Sequence, residues 1–141
     1  MEEGMIEQAL QLQKVDAGSY SPLALAYIGD AVYELLIRAR VMNQGNRQVS
    51  KMHKKTAALV QARAQAEMIQ LILEELSEEE LAVYKRGRNA RSATMPKHAT
   101  MRDYRMATGF EALVGHLYLT GRHERLLRLI HDGLKKIGEL S

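Results

Sequence analysis

The sequence predicts an all-α fold, and three observations carry that expectation. Proline is confined to Pro22 and Pro96. β-Branched runs are scarce, whereas Ala, Leu, Glu, Arg, Met and Gln, the residues that lose least on entering a helix, are abundant. Apolar residues also recur at helical spacing, as at Leu59, Val60, Met68, Leu71 and Ile72.

Met5 to Val15 reads as a short first helix, ending before turn-forming residues at Asp16 to Tyr20. Ser21 as N-cap and Pro22 at the first helical position start a second helix, which runs to about Met42 before the NQGN break. A third is expected from Asn46–Ser50 to about Leu76, with an interruption allowed. Ser77 followed by Glu78, Glu79 and Glu80 forms a capping-box pattern whose acids also suit the positive end of a helix dipole. The fourth helix starts there and ends near Gly87. A basic loop without apolar periodicity follows, over about 86–101. A fifth helix spans about Arg102 to Leu119, closed by Thr120 and Gly121, and a last one runs from Arg122 to about Leu140.

At 141 residues the chain suits one domain with a real core and is short for two, so a single domain over 1–141 is expected, with residues 1–20 as an N-terminal helix and turn. The absence of cysteine excludes disulfides, thiolate metal sites and a cysteine nucleophile, and fits a reducing cytoplasm. No window approaches about 18 uninterrupted apolar residues, and the N-terminus is acidic, so neither a membrane span nor a signal peptide is expected.

The net charge of +3 is unremarkable as a total, but it is distributed in blocks. Arg38, Arg40, Arg47, Lys51, Lys54, Lys55 and Arg63 form one block without an acid. Lys85, Arg86, Arg88, Arg91, Lys97, Arg102 and Arg105 form another, against Asp103 alone. Two such segments suit a polyanion if the fold brings them together, and two solvated helix faces if it does not.

Residues 23–37, LALAYIGDAVYELLI, place Asp30 inside an apolar helical run, and residues 106–119, MATGFEALVGHLYL, do the same with Glu111. A buried carboxylate without a partner costs several kcal/mol, so each acid needs one. On a helix Asp30 shares its face with Ala26, Tyr27, Tyr33 and Glu34, and Glu111 with Ala107, Thr108, Val114 and Gly115. These neighbours are largely small or apolar and leave room for water or a phosphate. Two hard oxygen donors without nearby His or Cys suit Mg²⁺ or Mn²⁺ rather than zinc. The alternative is that each acid pairs with an arginine on another helix. Glu34, four residues before Arg38, reads as an intrahelical partner of that arginine. His53, His98, His116, His123 and His131 show no metal spacing, and no Ser/His/Asp set is evident.

AYIGDAVYELLIR resembles the signature helix of the ribonuclease III family's endonuclease domain, where a Gly-Asp-Ala-Val core presents a metal-binding aspartate. KRGRNARS resembles the basic segment closing that family's fourth main helix, and TGFEALVGHLYL its second acidic helix, with a metal-binding glutamate. The motifs occur in the family's order and, with their connecting helices, cover nearly the whole chain. Ala26 and Thr108 stand where the larger family carries two more acids. The end at Ser141 leaves no space for the double-stranded-RNA-binding domain that ordinarily follows. The brevity and the SPLALAYIGDAVYELLIR wording are both similar to the family's compact bacterial branch.

The resemblance implies the ribonuclease III helical fold as a symmetric homodimer, with both sites facing one RNA duplex. Asp30 and Glu111 would be the metal-binding and catalytic pair, cutting RNA with Mg²⁺, or Mn²⁺ as substitute, to leave a 5′ phosphate and a 3′ hydroxyl. Lys85, Arg86, Arg88, Arg91 and Lys97 would contact RNA. For the compact branch the implied substrate is precursor large-subunit (23S) ribosomal RNA, with a large-subunit ribosomal protein assisting. A non-catalytic RNA- or ribosome-binding module on the same fold is the alternative. A helical Mg²⁺-dependent nucleotide pyrophosphohydrolase would want clustered acids such as ExxE on one helix, and the dense acids from Glu74 to Glu80 fall instead at a helix junction.

Overall fold

The computed structural model describes residues 4–91 and 99–141, and among them the regular structure is helical throughout. Helix α1 covers only Met5–Ala9, shorter than its apolar content suggests, because it buries no residue and Gln11 turns the chain at φ 54°. A helix this short does not persist without packing. Asp16 then accepts a hydrogen bond from the Gly18 N–H at 3.1 Å and sets a 3-10 turn over Ala17–Ser19. Helix α2, Pro22–Asn43, starts as expected, with the Ser21 hydroxyl accepting from the Ala24 N–H at 3.1 Å.

The expected third helix is two: α3, Val49–Val60, and α4, Ala62–Ile72, broken at the extended residue Gln61. The break lets α3 pack on α2 while α4 packs on the last two helices, which one straight rod could not do. A 3-10 turn over Leu73–Glu75 leads to α5, Glu78–Asn89, which carries the predicted capping box between Ser77 and Glu80. Helix α6, Met101–Leu119, is capped by Thr100. Helix α7, His123–Lys136, stops short of Leu140, and Gly138 turns the chain at φ 88°.

Helix α6 is the axis of the fold: α2, α4, α5 and α7 all pack on it. Tyr33, Met68, Ile69, Ile72, Phe110, Leu113 and Leu117 lie fully inside. Tyr33 meets Phe110 edge to face at 5.2 Å, and its hydroxyl donates to the Leu59 carbonyl at 2.9 Å, so burial does not orphan it. That burial pushes its phenol pKa upward.

Two glycine contacts set the helix spacing around α6. A Cβ on Gly115 would stand 2.0 Å from the Leu25 carbonyl oxygen, and one on Gly109 would stand 2.7 Å from the Tyr84 ring. The small residues beside Glu111 therefore serve in part to admit helix backbone. Where the sequence suggested space for a phosphate at Gly115, α2 occupies it.

Candidate active site

Helices α2 and α6 cross where Gly29 and Gly115 let their backbones touch, and this crossing brings Asp30 and Glu111 side by side. They open into a cleft of about 450 Å³ that Ala26, Tyr27, Tyr104 and Thr108 also line. Asp30 is exposed rather than buried, which corrects the expectation from its apolar surroundings: α2 turns it, with Tyr27, away from the core. Glu111 is half-buried. The Thr108 hydroxyl is spent on the Tyr104 carbonyl at 2.9 Å.

Among the described residues neither acid pairs with a cation, which removes the arginine-partner alternative there. Glu34 does pair with Arg38, at 3.0 Å, as expected. Burial raises the Glu111 pKa to about 8, and the hydrogen bond and negative charge of Asp30 push it the same way. The amide of Gln65, on α4, pulls it down. Gln65 Nε2 donates to Glu111 Oε2 at 3.3 Å and to the Val60 carbonyl at 2.8 Å. Gln65 escaped the reading of the sequence; the signal was a buried-face amide within the apolar period of α4.

The Asp30 carboxylate beside Glu111 raises the proton affinity of Glu111, so the pair lacks positive charge, and their oxygens are hard donors that fit a divalent cation such as Mg²⁺, which keeps several waters. No group of three or more His, Asp or Glu that could hold a metal occurs among the described residues, so the acid set is lean.

The basic residues are placed differently from the expected loop. Lys85, Arg86 and Arg88 sit on the last turns of α5, because the helix continues to Asn89. Lys85, Arg86 and Arg91 are exposed, and Arg88 lies over the Tyr84 ring at 5.7 Å. Lys97 lies outside the described residues. Arg88, Arg102 and Arg105 line a second cleft of about 580 Å³. Arg102 and Arg105 belonged to the second basic block but were not singled out. Tyr104, between them in sequence, lines the carboxylate cleft, so both clefts share the first turns of α6.

The chain matches the Ribonuclease III domain family over residues 23–122. It is 47% identical to a Mini-ribonuclease 3 of a Thermoanaerobacter species over 96% of both chains. It is 49% identical to the Mini-ribonuclease 3 of Enterococcus faecalis, over 84% of this chain and 92% of that one. A crystal structure of a Fusobacterium nucleatum protein superposes with a TM-score of 0.76 at 33% identity, covering 84% of this chain and 94% of the other. No helix of the described residues is long and apolar enough to cross a membrane.

Proposed function

Because the chain belongs to the ribonuclease III family, among its Mini-ribonuclease 3 members, and is therefore an endoribonuclease, we propose that Asp30 and Glu111 form its catalytic and metal-binding pair. Their meeting across the α2–α6 crossing is the observation that carries this reading. Asp30 and Glu111 would hold a cation of the Mg²⁺ or Mn²⁺ class, which when bound would supply Lewis acidity toward water and a phosphodiester. Asp30, exposed at the mouth, meets solvent and phosphate, while Glu111 holds its place from within α6. Cutting leaves a 5′ phosphate and a 3′ hydroxyl.

Lys85, Arg86, Arg88, Arg91 and Lys97 contact duplex RNA, whose A-form major groove is too deep and narrow for ordinary side-chain readout. Phosphate contacts from them supply affinity, and the single catalytic domain, 1–141, acts as a homodimer. Support for the dimer comes from the outer face of α2, where Leu23, Tyr27, Leu35 and Met42 are exposed at near-helical spacing, Tyr27 at 83%. The apolar groove along Leu35, Leu119 and Leu127 shares Ile28 and Ala31 with the carboxylate cleft, so a second copy there borders both sites. The natural substrate is the precursor of large-subunit (23S) ribosomal RNA in the cytoplasm, with a large-subunit ribosomal protein assisting. The similarity to Mini-ribonuclease 3 proteins supports this assignment.

The test is to incubate the protein with duplex RNA, single-stranded RNA and duplex DNA, each in Mg²⁺ or EDTA. Mg²⁺-dependent cutting of duplex RNA alone is expected, with Asp30→Asn and Glu111→Gln each inactive yet folded. Near-normal cutting by either variant would overturn the metal assignment.

A further inference from the structure

We propose that Gln65 is the positioning residue of this site, holding the Glu111 carboxylate in place for a divalent cation; this rests on the reading of Asp30 and Glu111 as the metal-binding pair. Gln65 comes from α4, a third element that contributes no carboxylate to the cleft. Gln65 is 1% exposed, and its Nε2 spends both hydrogens, one on the Val60 carbonyl at 2.8 Å and one on Glu111 Oε2 at 3.3 Å. The Val60 carbonyl is available because the helix breaks at Gln61. Flipping the amide would set its oxygen against the Val60 carbonyl, which can only accept, so that contact fixes its orientation.

The same fixed orientation leaves Gln65 Oε1 buried without a partner among the described residues. An apolar side chain of similar length would pack there without that desolvation cost. A buried amide that leaves one atom orphaned and commits the other to Glu111 is accounted for by that commitment. In a site where Ala26 and Thr108 supply no charge, the two carboxylates must do the holding in a fixed geometry. A neutral donor can orient Glu111 without neutralising it, which a lysine or arginine would do. Residues that orient metal ligands in this way are commonly worth roughly 10- to 100-fold in affinity or rate.

Gln65→Met and Gln65→Asn test the inference. The first removes the donor at similar volume; the second keeps an amide too short to span Val60 and Glu111. Mn²⁺ binding is measured by calorimetry without RNA, thermal unfolding is measured in EDTA, and duplex-RNA cleavage is resolved into kcat and KM. The expected result is Mn²⁺ affinity and kcat each lowered roughly 10-fold or more, with KM for RNA unchanged and both variants still folding cooperatively in EDTA. Unchanged Mn²⁺ affinity and kcat in either folded variant would overturn the proposal, as would a loss of thermal stability alone. If the unaltered chain neither binds Mn²⁺ nor cuts duplex RNA, the underlying site assignment fails instead.

Discussion

Gly29 lies so close to Glu111 that a Cβ added to it would stand 1.8 Å from the Glu111 carbonyl oxygen. The residue preceding one acid is thus in backbone contact with the residue carrying the other. Asp30 and Glu111 can approach one another because this contact excludes any side chain.

Gly29→Ala must push α2 off α6. Overpacking costs about 1–3 kcal/mol or more, and a backbone clash belongs at the upper end. The melting temperature should drop by roughly 10 °C, and cleavage should fall even well below the melt, because the carboxylates separate. Cleavage at the unaltered rate by a folded Gly29→Ala protein would contradict the crossing geometry.

Glu80 is fully buried, and Arg125 meets it with Nε at 2.8 Å and Nη2 at 2.9 Å. The Arg125 hydrogen bond holds its carboxyl below the ordinary value of 4.5. This pair therefore contributes stability that is present above pH 4.5 and lost as pH falls through the depressed folded value. Removing Arg125 leaves Glu80 with Arg122 alone, at 3.6 Å, and costs about 3 kcal/mol, the low end for a broken buried pair. Urea unfolding of Arg125→Met should show a loss of that order at pH 7, and the loss should shrink as pH falls below 4.5.

Glu111 has the opposite sign. Its folded pKa, about 8, exceeds the ordinary 4.5, so the folded state holds a proton the unfolded chain releases, and stability is lost as pH rises across that window. Glu111→Gln should melt at about the same temperature as the unaltered chain below pH 4.5 and higher than it near pH 8 in EDTA. Adding Mn²⁺ should stabilise only the unaltered chain. Equal melting curves at pH 8 would mean that Glu111 is not held out of water as described.

Leu35, 58% exposed on the outer face of α2, lies in the groove assigned to the second copy. Leu35→Glu should convert a dimer to a monomer by light scattering and lower duplex-RNA cleavage, with the helical circular dichroism unchanged. A monomeric unaltered chain would remove the dimer from the proposed function.

Much of this was legible locally. Ser21, Pro22 and the Ser77–Glu80 box announced their helix starts because caps act over three or four residues. Asp30 and Glu111 stood out as charges in apolar runs. An interruption of the third expected helix was allowed, but its place was not legible. Gln61 breaks it through tertiary packing, since α3 and α4 face different partners, and no proline or glycine marks the place. The arginine partnership of Glu80 was hidden likewise, because Arg125 lies on α7, far along the chain.

By itself the sequence determined the helical class, several helix starts, the order of the segments and the two acids, since periodicity, caps and charge in an apolar run are properties of neighbouring residues. Only the tertiary structure decided that Asp30 faces solvent, that Gly29 and Gly115 are spent on a helix crossing, and that Gln65 reaches Glu111. Those facts depend on which faces meet when α2, α4 and α6 share one core, and distances between helices are set by packing rather than by spacing along the chain.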